Sequence, residues 1–293
     1  MTVPSTSVRL SPAEFLGCWA ALRLGETPIE LAMRPPGYTV EESRTLLDKA
    51  VAGLAARGLS DGRLPGARPH AQLAGALRLF ANPDYQLDIR FHDLAEGGPM
   101  VFGLGAVAGA NGLLITGVDD GEDRGGNDGG GLPVDLVGMD GSRVSGALLW
   151  LATRRGPVKP GIGSPANIPV AAFDKAREQA GGGDLWELAD ELGELGVPRQ
   201  DATSLARMCG GIRFAGQLGA TGRFGGPPRR GDWVIGFHIT DSGWFMQLRR
   251  GDTLTVCPTD ARRLMYHWHE LAGSLNPATS GVGTQRRGNS TPF

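Results

Sequence analysis

The sequence is poor in cysteine, and its three cysteines are not paired in sequence. Cys18, Cys209 and Cys257 lie far apart and form no C-x-x-C motif, so the sequence predicts neither a disulfide framework nor a zinc ribbon. Isolated thiols of this kind suit a reducing cytosol. The first ten residues, MTVPSTSVRL, also lack the basic segment and apolar run of a secretory signal peptide, so we expect a cytoplasmic protein.

Strong net charge is also missing. The formal net charge is -2 and the isoelectric point is near 6.2, which leaves no overall positive field to attract phosphate backbones. We therefore expect no nucleic-acid partner. The 47 glycines show no collagen-like period and are typical of turns and loops. With 293 residues, 41% of them hydrophobic, the chain can bury a large core as one domain or as two halves in contact.

A long apolar run that would cross a membrane is absent as well. The uncharged stretch from Gly97 to Val118 has the required length, but it is rich in glycine and carries Asn111-Gly112 near its middle. Asn-Gly is a strong signal for a β-hairpin turn. The stretch therefore predicts two strands of about six to eight residues, because one membrane helix would need about 20 apolar residues.

Three helices are predicted in the first half. Ser11, Pro12 and Glu14 form an S-x-x-E capping box with proline at the first helical position. A second capping box, Thr39 to Glu42, opens a longer helix, and a third helix is predicted from about His70 to Phe80.

Strand patterns follow these helices, and the order repeats in the second half. Predicted first-half strands are TPIELAMRPP, YQLDIRF, VFGLGAVA and GLLITGV. The second half has helices at DLWELADELGELG and DATSLARMCG, then strands at GIRFAGQLGA, DWVIGFHIT, GWFMQLRR and TLTVCP, and a last helix from about Thr259. Helices segregated around a meander predict an α+β fold with a central antiparallel sheet and a quasi-two-fold repeat.

These patterns predict one domain over residues 1–273, built of pseudo-repeats at about 8–155 and 165–273. Residues 274–293 lack periodicity, so we expect a disordered tail. In DWVIGFHIT the alternation puts Ile235, Phe237 and Ile239 on one face and Val234, His238 and Thr240 mainly on the other. One face of this sheet is therefore expected to be buried and the other to be partly polar and exposed.

The acidic stretch VDDGEDRGGNDGGG, Val118 to Gly131, suggests a metal cage, but no calcium-loop frame fits it. An EF-hand frame begun at Asp119 places Arg124 where the invariant glycine belongs, and a frame begun at Asp120 puts that arginine at a ligand position. The calcium-binding nonapeptide repeat fails at Asp128 and occurs only once. We therefore predict a solvated loop and no metal site.

Gly103, Gly105 and Ala108 match the dinucleotide-binding pattern G-x-G-x-x-A. The Asn111-Gly112 turn follows within three residues and leaves no room for the helix whose N-terminus would hold a pyrophosphate. The match is therefore interpreted as accidental, and no cofactor is expected.

Catalytic patterns are also weak. His267 and His269 are two apart on a predicted helix and point in different directions, whereas zinc-binding helices use positions i and i+4. His238 and Cys257 could form a thiol–imidazole pair, yet no third orienting group accompanies them. No serine lies in a G-x-S-x-G motif. We therefore assign no catalytic residues and predict that the chain is not an enzyme.

The order of these segments resembles the EspG family, the cytosolic type VII (ESX) secretion chaperones of mycobacteria and related actinobacteria. The resemblance is carried by VRLSPAEFLGCW, TPIELAMRPP, LAARGLSDGRLPGARPHAQLAGALRLFANPDYQLDIRF, LADELGELGVP and VIGFHITDSGWFMQLRRGDTLTVCPTDARRLM, from about Val8 to Leu275. Two features depart from the family: Gly243-Trp244-Phe245 stands where the family usually has G-R-[YF], and the loop after Val118 is long and acidic.

The resemblance implies a quasi-two-fold α+β fold and a role in binding the apolar tip of a helical PPE-type protein, paired with its PE partner, until export. It leaves open another helical type VII client and a homodimer. By strand alternation and family analogy we predict that partner binding involves the second-half face and its turn, with these residues: His238, Thr240, Trp244, Phe245, Gln247 and Arg249.

Three other interpretations remain open at this point. The first is a metal- or thiol-dependent hydrolase that uses His238, Cys257 and the His267/His269 pair. The second is a secreted type VII substrate, because the export pattern Y-x-x-x-[DE] occurs at Tyr38 to Glu42 and at Tyr266 to Glu270. The third is a pseudo-enzyme without a client.

Overall fold

The computed structural model describes residues 7–31, 33–94, 98–119, 133–154, 158–180, 184–224 and 226–276. The predicted acidic loop, apart from its first two residues, and the predicted tail after residue 276 lie outside these residues. The chain divides into two compact units, residues 1–90 with 97–151 and residues 91–96 with 152–293. None of the described helices is long and apolar enough to cross a bilayer.

The first unit is an antiparallel sheet with four helices. Its elements are β1 (Ser7–Leu10), α1 (Pro12–Ala21), α2 (Val40–Gly53), α3 (Ala71–Ala81), β2 (Tyr85–Asp93), β3 (Met100–Ala108), β4 (Asn111–Asp119), β5 (Val134–Asp140) and α4 (Val144–Thr153). The strands follow the order β1-β5-β4-β3-β2. The meander from β3 to β5 puts neighbours in sequence beside one another in the sheet.

The capping box predicted at the first helix is confirmed. The Ser11 hydroxyl accepts a hydrogen bond from the Glu14 backbone N–H, and the Glu14 carboxylate accepts one from the Ser11 N–H. Two backbone N–H groups at the helix start are satisfied in this way. At the second helix Thr39 is the N-cap, but Glu42 accepts its backbone hydrogen bond from Tyr38.

Two local predictions are wrong. TPIELAMRPP contains a 3-10 turn at Ile29–Leu31, closed by a hydrogen bond from the Leu31 N–H to the Pro28 carbonyl, and no strand is described there. The hairpin between β3 and β4 turns at Gly109 and Ala110, because Ala108 already pairs with Asn111. Gly109 has φ +56°, a left-handed conformation that glycine adopts without cost, so it rather than Asn111-Gly112 permits the turn.

The glycines of the apparent dinucleotide motif have a packing role. A Cβ at Gly103 would lie 2.7 Å from methyl groups of both Leu148 and Leu151, and one at Gly105 would overlap the Val144 side chain. The two glycines of β3 therefore leave a channel into which α4 packs closely. This arrangement gives the G-x-G pattern a structural reason that does not involve a nucleotide.

The second unit repeats the combination of a sheet and four helices. Its elements are β6 (Ala166–Pro169), α5 (Val170–Gln179), α6 (Leu185–Glu194), α7 (Arg199–Cys209), β7 (Phe214–Gly222), β8 (Arg229–Arg230), β9 (Ile235–Thr240), β10 (Gly243–Arg250), β11 (Thr253–Pro258) and α8 (Ala261–Ser274). The strand order is β7-β9-β10-β11-β6, with β8 paired to β7. The predicted α+β fold with antiparallel sheets is confirmed.

The helices α5, α6 and α7 cover one face of the second sheet. Their apolar residues form one buried cluster with Ala166, Ile168, Phe245 and Val256, which lie on β6, β10 and β11. Helix α8 contacts β7 and β9, and its fully buried Trp268 donates a hydrogen bond to the Gly219 carbonyl at 2.7 Å.

Alanine at Gly105 tests the packing of α4. We expect Gly105→Ala to lower the free energy of unfolding by about 1–3 kcal/mol, the usual cost of overpacking a well-filled core. Gly75→Ala is the matched control, since a Cβ at this exposed position inside α3 meets no atom within 4 Å. It should raise the stability by about 0.5–1 kcal/mol through helix propensity. Urea unfolding of both variants measures the difference, and equal effects would contradict the channel.

Candidate functional site

The six residues predicted to bind a partner do not lie on one face of the second sheet. Residues that pair directly across antiparallel strands share a face. Phe245 pairs with His238, so these two lie on the face that α5, α6 and α7 cover. Trp244 pairs with Ile239 on the opposite face, where its ring stacks on Phe237 at a centroid distance of 5.5 Å.

Four of the six residues are buried, so the exposure on which the prediction was based is wrong for them. His238 is 1% exposed, Trp244 3% and Phe245 0%, and Thr240 is also buried. The reason is that residues on both faces of the sheet are covered in this part of the unit, whereas alternation was interpreted as one covered face. Gln247 is half-buried and Arg249 is exposed.

His238 on β9 connects two strands and a helix through its hydrogen bonds. One ring nitrogen, Nε2, lies 2.8 Å from the carbonyl oxygen of Met208 on α7, and Nδ1 lies 2.8 Å from Nε2 of Gln247 on β10. The two bonds fit a neutral ring in which Nε2–H donates to Met208 and Nδ1 accepts from the Gln247 amide. The ring also stacks on Phe245 with a centroid distance of 5.1 Å. His238 is thus a buried structural connector.

The protonation of His238 is disfavoured by its surroundings. Burial lowers the pKa of the ring below its ordinary value of 6.5, and the hydrogen bond to the Met208 carbonyl opposes this shift only in part. The neutral ring therefore dominates at neutral pH, in agreement with the hydrogen-bond pattern.

The thiol–imidazole pair of the hydrolase interpretation is not formed. Cys257 pairs with Met246, which pairs with Phe237, so Cys257 lies on the sheet face opposite to His238. Burial also raises the pKa of the Cys257 thiol, which disfavours the reactive thiolate. The described residues contain no group of three or more His, Cys, Asp or Glu side chains able to hold a metal ion.

Of the histidine pair on α8, His267 takes part in a surface network. His267 Nδ1 lies 3.0 Å from a carboxylate oxygen of Glu270, and Arg250 donates to the same carboxylate at 2.9 and 3.3 Å. The Arg250 guanidinium also lies over the Trp233 ring, 4.2 Å from its centroid. His267 is therefore engaged in an ion-pair network on the outside of the second unit.

The two tyrosine patterns are also accounted for by local structure. Glu270 is held by Arg250, and the same helix buries Leu264, Trp268 and Leu271 in the core of the second unit. In the other pattern, Glu42 accepts a hydrogen bond from the backbone of Tyr38 at the start of α2. Both glutamates thus contribute to the fold, and the tyrosine side chains are exposed.

Part of the predicted face stays accessible as a short row of residues. We call this row the amide strip and define it as Gln217, Gly236 and Gln247. These residues pair side by side across β7, β9 and β10. The same row continues into Val256 and Ala166, which are buried. Exposure therefore decreases along the row from Gln217, which is exposed, to the end that the helices cover.

The amide strip is flat and polar. Gly236 has no side chain, so the strand backbone is accessible between two glutamines. Arg249 lies on the same face two residues beyond Gln247, and it forms an ion pair of 3.0 Å with Asp174 on α5. Gln217 and Gly236 were not predicted from the sequence, because only the cross-strand register shows that they are neighbours of Gln247.

Comparison with known proteins identifies the family. A family model described as the EspG family matches residues 11–267, which is most of the chain. The chain belongs to the EspG family. The resemblance found in the sequence is thereby confirmed, and the two departures noted there lie within the matched residues. A search of curated proteins gives no significant match.

The EspG fold is confirmed by a solved structure. The chain is similar to the Mycobacterium tuberculosis type VII secretion system chaperone EspG5, whose structure was solved in complex with the PE25-PPE41 dimer. The TM-score is 0.67 at 13% sequence identity, and the match covers 93% of this chain and 97% of that chain. Such a low identity establishes the common fold, and it does not by itself transfer the binding residues.

Acidification tests the neutral state of His238. Because the pKa in the folded protein is lowered, the contribution of His238 to stability is complete above about pH 6.5 and is lost as the pH falls through the folded pKa. The loss is limited to about 1.4 kcal/mol per pH unit for one site. We expect His238→Gln to show a flatter dependence of unfolding free energy between about pH 7.5 and about pH 5.5.

Alkylation tests the absence of an activated thiol. Burial raises the pKa of Cys18 to about 12 and that of Cys209 to about 11, and it also raises that of Cys257. We expect iodoacetamide to modify none of them in the native protein in the time needed to modify all three in urea. Mass spectrometry counts the adducts, and rapid native modification of Cys257 would support the hydrolase interpretation instead.

Proposed function

We propose that this protein is a cytoplasmic type VII secretion chaperone that binds a PE–PPE heterodimer and keeps it soluble until export. The observation that carries the proposal is the extent of the similarity to EspG5, which spans nearly the whole of both chains. The printed partner of EspG5, a PE25-PPE41 dimer, then indicates the class of client.

The proposed role needs no chemistry. A client with an exposed apolar tip aggregates because its hydrophobic surface is in contact with water. A chaperone prevents this aggregation by covering the tip. The free energy of binding comes from the apolar area that is removed from water. The separation of His238 from Cys257 and the raised thiol pKa values favour this non-enzymatic role over the hydrolase interpretation.

We infer that the client contacts the amide strip and the adjacent Arg249. The strip borders a buried cluster on the same face of the sheet, because the His238 ring, which stacks on Phe245, accepts a hydrogen bond from the Gln247 amide. Glutamine amides can donate to and accept from the exposed carbonyls and N–H groups at the end of a client helix. The four buried residues of the original prediction would then act by positioning this surface, and Gln247 and Arg249 would touch the client.

Co-purification tests the function itself. The full chain is mixed with each PE–PPE heterodimer encoded in the source genome, and complexes are separated by size-exclusion chromatography and identified by native mass spectrometry. We expect a complex with one copy of each chain that forms without nucleotide. If every such heterodimer elutes separately from the chaperone, the client assignment is wrong.

Charge placed in the amide strip tests the binding surface. Gln217→Arg introduces a long cation at the exposed end of the strip, and we expect it to weaken client binding about 10-fold or more, because burying an unpaired charge at an interface is costly. Gln72→Arg is the matched control, since Gln72 is an exposed glutamine on α3 of the first unit. Isothermal titration calorimetry compares the two affinities. Equal affinities would remove the strip from the interface and leave the chaperone role untouched.

A further inference from the structure

A broad groove in the first unit carries an excess of positive charge. It has a volume of about 1400 Å³ and lies among α1, α2, α3 and the loop before α3. Its floor is formed where α1 and α2 approach closely at Gly17, since a Cβ there would lie 2.6 Å from the Leu47 carbonyl oxygen. Val51 and Ala67 also line this floor, and both are buried. An apolar base of this kind can bind a protein surface.

Positive side chains surround this floor. The cationic lining residues are Arg23, Arg44, Lys49, Arg68 and Arg78. All five are exposed, and no ion pair joins any of them to another described residue. The carboxylates in the lining are Glu41 and Asp48. Asp48 already accepts hydrogen bonds from the backbone N–H groups of Gly66 and Ala67, both at 2.9 Å. The groove therefore has excess positive charge in a chain whose net charge is -2.

The backbone at Arg23 points to a use for this charge. Arg23 has φ +54°, a left-handed conformation that glycine adopts more easily at a helix end. A non-glycine residue held there is strained, and such residues are concentrated at functional sites. An arginine at this position thus adds positive charge to the groove where glycine would be the more stable choice.

The size and chemistry of the groove indicate a polypeptide ligand. Small-molecule sites usually occupy about 300–1,000 Å³ and enclose their ligand. No aromatic side chain is among the lining residues, so the base stacking that proteins use to bind single-stranded nucleic acid has no platform here. Exposed apolar residues at the margin, Val40 at 89% and Leu64 at 56%, fit the apolar side of an amphipathic helix.

A helix with the complementary properties occurs in the second unit. The sequence of α6 and its cap, DLWELADELGE, contains five carboxylates and no basic residue. Asp184, Glu187, Asp190 and Glu194 are exposed, and none forms an ion pair with another described residue. Trp186 on the same helix is 50% exposed. Acidic side chains around an exposed tryptophan are an interface pattern, because tryptophan often dominates binding energy when it becomes buried.

We propose that the protein self-associates by inserting the acidic face of α6 from one copy into the basic groove of a second copy. The unneutralised charges of the two surfaces are opposite, and each copy supplies both. Trp186 supplies the apolar anchor, and the carboxylates meet the cations around the groove. This contact involves neither Gln217 nor Gly236, so it is independent of the proposed client surface.

Sedimentation velocity of the full chain tests the proposal directly. A concentration series at low ionic strength should show a reversible shift from monomer to larger species, and added salt should reverse the shift because exposed charge pairs are screened. A chain that stays monomeric throughout the series would overturn the proposal, even if an acidic peptide bound to the groove.

Charge reversal with rescue tests the two surfaces. Arg44→Glu with Arg78→Glu should raise the dissociation constant of self-association about 10-fold, and Glu187→Lys with Asp190→Lys should do the same, because attraction is replaced by repulsion. Combining all four changes should restore much of the association. Trp186→Ala should weaken it without changing its salt dependence. Loss without rescue in the fourfold variant would contradict direct pairing of the two surfaces.

A matched control tests whether the effect on self-association is specific to the two surfaces. Arg143→Glu with Arg262→Glu reverses two exposed charges outside the groove and outside α6, and it should leave the dissociation constant unchanged. Circular dichroism melting curves verify that each variant is folded. Client binding measured on the Arg44/Arg78 variant should remain at the wild-type level, so a failure of self-association and a failure of the chaperone role give different results.

Discussion

The second unit depends on the burial of its sheet on both faces. Cross-strand pairing puts Phe245 and His238 against the helical layer, while Trp244 stacks on Phe237 on the opposite side. Because both rows are buried, polar groups within them must find partners inside the protein. His238 meets this requirement with the Met208 carbonyl and the Gln247 amide. The hydrogen bonds of one imidazole thereby connect a helix, two strands and the accessible surface.

The proposed chaperone role requires a binding surface and no reactive group in the interior. Because side chains alternate between the two faces of a strand, the Cys257 thiol and the His238 ring lie on opposite faces of the sheet. The two proposed binding surfaces, the amide strip in the second unit and the basic groove in the first, are left uncovered by the fold. The amide strip is uncharged and the basic groove is positively charged, so the two surfaces suit different partners.

The sequence predicted many local elements correctly where a single residue pattern decides them. The capping box at Ser11 and Glu14 needs only neighbours in sequence, and it forms as expected. Predictions failed where a competing signal was stronger. The stretch around Ile29 forms a 3-10 turn. The hairpin turns at Gly109 and not at Asn111, because glycine adopts the left-handed conformation without strain. The predictions also missed β6, which has only four residues, and α4, whose sequence is almost uniformly apolar, so neither gives a clear periodic signal.

The sequence by itself determined the class of fold and the family, because capping, alternation and segment order are properties of the chain. Only the tertiary structure decided which polar residues are accessible. Alternation in β9 and β10 separates two faces but cannot show that helices cover both, so His238 and Phe245 were expected at a surface and are buried. Likewise, Gln217 and Gln247 become neighbours only through strand register, which arises from packing between segments that are distant in sequence.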